Sequence, residues 1–251
     1  MKGRKNMKID RIEEYLSAKK HIDFEREELI ELYWRSHPRF NFFKYMGSES
    51  AKLLDIGANQ GALHFWRKWE IPNRQDLKLY GVDLQIGKYA EQYEEFKVCN
   101  LDENDFPFPD KSMDLIYSTH VIEHLKNPGK VASNIFRCLK KGGFCYIEVP
   151  NHNSLLVPSK KEFLDQGVQA GTTNFYDDPT HLHPYSSAEI WELFGENRGE
   201  LRIIAQGTIV NEWLAEACLN YAVEDKNDVE MMNYGVWLKS RWSDYIIIEK
   251  I

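Results

Sequence analysis

Hydrophobic and polar positions change rhythm once along this chain. Up to about residue 46, apolar residues recur at helical spacing among many charges, with Ile12, Tyr15, Leu16, Ile22, Leu29, Ile30, Leu32 and Tyr33 on the apolar side. Pro38 interrupts that pattern, and Arg39 to Met46 is a short aromatic-rich stretch, so residues 1–46 read as an N-terminal helical arm or cap. From Ala51 short apolar runs take over. AKLLDIGA (51–58), LKLYGVDL (77–84), FKVCNL (96–101), SMDLIYST (112–119) and FCYIEVP (144–150) read as strands. Between them, GALHFWRKWE (61–70) and KVASNIFRCLKKGG (130–143) read as helices, the second stopped by its paired glycines. Such alternation predicts parallel βαβ units with helices on both faces of the sheet. Ligands of these sheets bind outside the carboxyl ends of the strands.

Beyond Pro150 the pattern loosens into a loop-rich stretch to about Tyr185. SSAEIWELFGEN (186–197) then reads as a helix, with Ser186 or Ser187 as N-cap and Glu189 placed for a capping box. LRIIAQGTI (201–209) is a strand, 211–242 a helical segment holding three tryptophans, and DYIIIEKI a closing strand. Residues 47–251 thus form one α/β domain with insertions at about 151–185 and 211–242.

Charge and composition narrow the class. With 32 basic against 39 acidic residues the net charge is -7, which argues against a protein that grips a phosphate backbone. The start, MKGRKNMKIDRIEEYL, lacks the apolar region of a signal peptide, and no apolar run approaches the roughly 20 residues of a membrane span. Cys99, Cys138, Cys145 and Cys218 show no C-x-x-C spacing, so neither a zinc knuckle nor a disulfide framework is indicated. A soluble, cytoplasmic protein is expected.

The sharpest local signal is LLDIGANQG, which sets Asp55, Gly57 and Gly61 as D-x-G-x-x-x-G at a strand-to-helix turn. Glycine there lets the backbone approach a ligand closely. Asp83 ends the next strand, where its carboxylate can accept from both hydroxyls of a ribose. A nicotinamide loop would show G-x-G-x-x-G and seat a pyrophosphate. The wider spacing here suits a cofactor with ribose and adenine but no phosphate.

LLDIGANQG, YGVDLQ, FPFPDKSMDLIYSTHVIEHL and LKKGGFCYIEVPN, over about residues 50–151, resemble successive motifs of the class I S-adenosylmethionine-dependent methyltransferases. The resemblance implies a Rossmann-like fold with a seven-stranded, mainly parallel sheet whose last strand is antiparallel. It implies that Gly57, Asn59 and Gly61 line the methionine part of the cofactor, that Asp55 is among the cofactor-binding residues, that Asp83 holds the ribose and that Leu84 packs on the adenine. Asn100 and Leu101 would sit at the adenine edge. Family members often carry Asp at that point, so Asp102 is the alternative, and a loop-capping role is the competing reading of Asn100.

THVIEHL follows the fourth strand directly, and one helical turn would place His120, Glu123 and His124 on one face. H-x-x-E-H also matches an inverted zinc-protease motif, but that motif needs a sustained helix and Pro128–Gly129 cut this one short. A structural reading has Glu123 and His124 capping the turn. A metal reading follows from resemblance to the small-RNA 3′-terminal and ubiquinone-pathway O-methyltransferases, which carry E-x-x-E-H here. It implies His120, Glu123 and His124 as ligands, His120 replacing the first Glu, with His181 (or His183) as the later ligand. Three imidazoles and one carboxylate favour Mn²⁺, Fe²⁺, Co²⁺ or Zn²⁺ over Mg²⁺. Either a metal or a neutral histidine could activate an alcohol for methyl transfer, and His120 and His124 are the candidate catalytic groups.

Asn151, His152, Asn153, Phe175, Tyr176, Asp177 and Asp178 mix amides, imidazole, carboxylates and aromatics, which suits a small sugar-containing acceptor, nucleotide-linked sugars included. The D-D-P-T-H-L-H-P-Y-S stretch loosely resembles methyltransferases of bacterial surface-polysaccharide synthesis. Packing or turn roles compete at each of these positions. RNA and quinone acceptors are alternatives, and a catalytically silent methyltransferase-like binding subunit is the alternative of another class. Trp213, Trp237 and Trp242 are expected in the core or at the interface of a homodimer.

Overall fold

The computed structural model describes Ile12 and residues 24–69, 72–224 and 227–251, so the expectations for Tyr15, Leu16 and Ile22 lie outside the described residues. The chain packs as two compact units. One comprises residues 38–149, 185–207 and 245–251, the other residues 1–37, 150–184 and 208–244.

In the first unit, the apolar runs become β1 (Lys52–Ile56), β2 (Lys78–Asp83), β3 (Glu95–Val98), β4 (Met113–Thr119), β5 (Leu139–Pro150), β6 (Leu201–Thr208) and β7 (Ser243–Lys250). They form one sheet in the order β3-β2-β1-β4-β5-β7-β6. β1 pairs in parallel with both β2 and β4, β2 with β3, and β4 with β5. The chain therefore builds outward from β1 in one direction, then returns to the far side of β1 with β4. That reversal opens a crevice at the carboxyl ends of β1 and β4.

Both faces of the sheet are covered. Leu54, Ile56, Val82, Ile116 and Ile147 pack with Val131, Ala132, Ile135 and Cys138 of the helix Pro128–Cys138. The alternate residues Leu53, Leu79, Leu115, Tyr117 and Tyr146 pack with Phe42 and Phe43 of the helix Pro38–Tyr45. Successive strand residues point to opposite faces, so runs apolar at every position serve a sheet buried on both sides.

Two helix expectations are corrected. GALHFWRKWE forms only the turn His64–Arg67, because 59–63 belong to the loop after β1. The second predicted helix ends at Cys138, and Leu139 already pairs with Met113. The next ladder pair is Leu115 with Phe144, so Lys140–Gly143 form a bulge. Gly142 supplies its positive φ of 77°. The paired glycines bend a strand and do not stop a helix. The helix after Ser186 is real but short, Ser187–Glu192, with the expected capping box between Ser186 and Glu189.

In the second unit, the segment 211–242 is two helices, Glu212–Glu224 and Val229–Ser240, the latter capped by Asp228, whose side chain accepts from Met231 N. The helix Arg26–Ser36 joins them. Arg26 pairs with Asp228 at 2.7 Å and Glu230 at 2.6 Å, and the Tyr33 ring stacks on Tyr234 with centroids 3.8 Å apart. Pro38 ends this arm, and His37 before it is already extended. The loop 151–185 is more ordered than expected, holding the helix Lys160–Asp165 and 3-10 turns at His152–Leu156 and Phe175–Asp177. Trp237 and Trp242 fasten it by donating their indole N–H groups to the carbonyls of Thr172 and Thr173. Trp213 is 49% exposed and meets Phe24 edge-on. Among the described residues, no helix is long and apolar enough to cross a membrane.

Candidate active site

A cavity of about 260 Å³ lies in the sheet unit, formed by the loops that follow β1 to β4. The β1 loop contributes Gly57 and Asn59, and β2 contributes Asp83 and Leu84. Cys99, Asn100, Leu101 and Asp102 follow β3, while His120, Val121, His124 and Leu125 follow β4. Four sequentially separate turns meet there because parallel strands present all their carboxyl ends on one edge.

Gly57 has φ 68°, and a Cβ on it would lie 2.3 Å from Val121 Cγ2. Only glycine lets the β1 loop lie that close to the β4 loop. Asp83 is held by two backbone donors, Asn59 N at 2.8 Å and Leu84 N at 2.6 Å. Each carboxylate oxygen has taken one of them and keeps acceptor capacity toward the cavity. Leu84 is 64% exposed, an apolar face beside that carboxylate.

Asp55 and Gly61 stand outside the cavity lining. Asp55 is buried under the loop and accepts the Tyr93 hydroxyl at 2.7 Å. Burial pushes its carboxyl up to about 7, against the Tyr93 hydrogen bond and with the nearby charge of Asp83. Gly61, with φ 77°, turns the loop and donates to Ala58 O. Asn100 lines the cavity, yet its Oδ1 accepts from Asp102 N at 3.1 Å, the loop-capping role foreseen as its alternative. Asp102, in turn, accepts from Lys126 N and Asn127 N, tying the β3 loop to the segment after His124.

The H-x-x-E-H segment departs from the expected helical face. Only Ile122–His124 are helical, as a 3-10 turn, and His120 precedes them in a left-handed conformation with φ 54°. The His120 ring lies between two carboxylates, with Nδ1 3.4 Å from Glu123 Oε1 and Nε2 3.3 Å from Glu148 Oε1. Burial alone would lower the proton affinity of this imidazole, but Glu123 and Glu148 outweigh it and raise the pKa above the usual histidine value. Arg39 Nη2, which can only donate, meets Nε2, and Glu123 faces Nδ1, so both ring nitrogens already face protein partners.

Arg39 and Glu148 are functional candidates that sequence reasoning missed. Arg39 donates from Nε to Glu148 Oε2 at 3.0 Å and from Nη2 to Glu148 Oε1, and Nη2 lies 3.0 Å from His120 Nε2. The Tyr146 hydroxyl donates to the same carboxylate. Arg39 read as part of an aromatic arm and Glu148 as part of an apolar strand, although a lone Glu inside FCYIEVP was a usable signal.

His181 and the loop after β5 belong to the other unit. His181 Nδ1 lies 2.6 Å from the Phe175 carbonyl oxygen, so this nitrogen carries the proton and Nε2 is the acceptor. Asn151 donates its amide N–H groups to Arg241 O and Asp244 Oδ1, and its Oδ1 accepts from Asn153 N. Asp177 Oδ2 accepts from Lys160 N, Thr173 N, Thr173 Oγ1 and Asn174 N. Asp178 accepts from Thr180. These groups, read from sequence as suited to a polyhydroxylated ligand, are committed to the loop itself.

A Gly-Asp cradle at the switch point of a β3-β2-β1-β4-β5-β7-β6 sheet, with no pyrophosphate loop, defines a class I methyltransferase architecture. The methyltransferase-domain family matches residues 25–199, and the chain belongs to it. MJ1123 of Methanocaldococcus jannaschii, an uncharacterized protein, is 31% identical over 134 residues, 53% of this chain. The chain spans about 60% of the length of that curated relative. An S-adenosylmethionine-dependent methyltransferase from Archaeoglobus fulgidus superposes over 89% of this chain and 94% of its own, with TM-score 0.51 and 22% identity. Another from Mesorhizobium loti covers 86% of this chain and 100% of its own, with TM-score 0.52 and 13% identity. At these identities the two structures speak for the fold.

Proposed function

We propose that this protein is an S-adenosylmethionine-dependent O-methyltransferase acting on a hydroxyl of a small acceptor. The observation that carries the reading is one cavity lined by Gly57, Asn59 and Asp83 on one side and by His120 and His124 on the other. When bound, S-adenosylmethionine supplies an electrophilic methyl group. Gly57 and Asn59 admit its methionine end, Asp83 accepts from its ribose hydroxyls, and Leu84 and Leu101 cover its adenine. Asn100 acts mainly by shaping the loop. Sulfonium carbon needs no activation, whereas an alcohol at neutral pH is a weak nucleophile. A neutral imidazole beside that hydroxyl takes its proton, an effect worth about 10²–10⁴-fold. His120 and His124, both lining the cavity, are the groups placed for this task. Positioning the two reactants supplies much of the remainder.

A metal-assisted variant of the reaction is favoured by the tautomer of His181, whose Nδ1–H is fixed by a backbone carbonyl as in many metal-bound histidines. On the sequence resemblance, Glu123, His124 and His181 would hold a divalent cation acting as a Lewis acid toward the acceptor oxygen. His120, placed between two carboxylates, leaves the ligand set. The sugar-containing acceptor rests on the loose likeness of the D-D-P-T-H-L-H-P-Y-S stretch, with Tyr176, 69% exposed, as the aromatic platform.

Calorimetry with S-adenosylhomocysteine tests the cofactor reading. The wild-type protein is expected to bind at one site, and Asp83→Ala to weaken binding about tenfold or more, the scale of a lost hydrogen bond to a charged group. Unchanged affinity overturns the ribose role, and no binding by the wild type favours a silent subunit. Titrating Mn²⁺ into the saturated, chelator-stripped protein tests the metal, with one-site binding expected that His124→Ala removes.

A further inference from the structure

We propose that Arg39 and Glu148 are positioning residues that lock the His120 imidazole in one orientation at the wall of the cavity. Its purpose rests on the methyl-transfer reading, but the device itself stands on geometry.

His120 is about one-third exposed, and the terminal torsion of a histidine is broad. Left alone, such a ring would sample several orientations. Its backbone is also left-handed, a conformation that an L residue with a side chain adopts only at a cost. Glu148 answers both problems. Its carbonyl accepts the His120 N–H at 3.0 Å, extending the β4–β5 ladder past Thr119, and its carboxylate faces ring atom Nε2. Glu123, three residues on, faces Nδ1.

Glu148 has no freedom of its own. It is 1% exposed, and its carboxylate receives two N–H groups of Arg39 and the Tyr146 hydroxyl. Nη2 of Arg39 reaches Glu148 and the His120 ring together. A lysine has the charge but lacks the planar fork that makes these contacts at once. As a stability device the arrangement is poor, because desolvating two charges commonly cancels their attraction and an apolar pair would serve as well. The added return is directional, since the fork, the carboxylate and the imidazole define one another's angles.

Long-range proton–nitrogen spectra of protein labelled with ¹⁵N-histidine test this, with His120→Gln identifying the His120 ring signals. In the wild type those signals are expected as one sharp set that moves on addition of S-adenosylhomocysteine. Arg39→Lys and Glu148→Gln should shift and broaden them into averaged signals. The other histidines should keep their positions, and the affinity for S-adenosylhomocysteine should stay within about threefold. His120 signals unchanged in both variants overturn the proposal. Should either fail to fold, Arg39→Met combined with Glu148→Met removes both charges, and the same loss of a single ring state is required of it. Failure of the wild type to bind S-adenosylhomocysteine defeats the cofactor reading, while the ring signals still report on the lock.

Discussion

The loops above the sheet and the loop 151–185 are both rich in polar side chains, and they spend them in opposite ways. Above the sheet, Asp83 gives one hydrogen bond site per oxygen to the backbone and keeps the rest toward the cavity. In the other unit, Asp177 takes four donors on a single oxygen and Asn151 uses both ends of its amide. Both regions look ligand-ready as composition. Only the valence left over after folding separates a binding group from a building group, and a buried polar group must satisfy itself first.

The contrast breaks most clearly at Asp177. Asp177→Ala leaves three backbone N–H groups without their acceptor and should destabilise the protein by about 1–3 kcal/mol, read from chemical denaturation. Affinity for S-adenosylhomocysteine should not change. A selective loss of affinity with unaltered stability would move this loop from scaffold to site.

An effect on the same scale is expected at Gly87, where the chain after β2 presses on the loop after β1. A Cβ there would lie 2.1 Å from Asn59 O and 2.8 Å from Gln60 C, both backbone atoms. Gly87→Ala must displace the loop that presents Asn59 N to Asp83, at the 1–3 kcal/mol typical of overpacking. Cofactor affinity should fall about tenfold in calorimetry, and wild-type affinity would show that the loop yields without consequence.

A third test uses pH. Asp55 has its carboxyl raised from 3.8 to about 7 by burial. The folded protein thus holds a proton that the unfolded chain has released, and stability from this group declines as pH rises from about 4 to about 7. Asp55→Asn, which can still accept the Tyr93 hydroxyl, should flatten that part of the stability profile in urea titrations at several pH values. An unaltered slope would assign the pH dependence elsewhere.

Much of the site was legible because its chemistry is local. Gly57, Asn59 and Asp83 sit at strand ends whose turn residues are chosen by backbone geometry, and the same holds for the Ser186 cap. Element lengths were less legible. Nothing near Leu139 announces that pairing with Met113 ends the helix there, so the glycines four residues on looked like its stop. His120 was legible as a candidate residue, but the partner that meets its Nε2 arrives from another strand and leaves no local trace in the sequence.

By itself, the sequence determined the parallel α/β architecture and the order of its motifs, since hydrophobic period and turn chemistry act over a few residues. Tertiary structure alone decided which polar groups remain available. Arg39 and Glu148 lie 109 positions apart and meet only once the sheet and the helix Pro38–Tyr45 have packed. Hydrogen bonding and burial belong to neighbours in space, and a linear pattern does not record who those neighbours are.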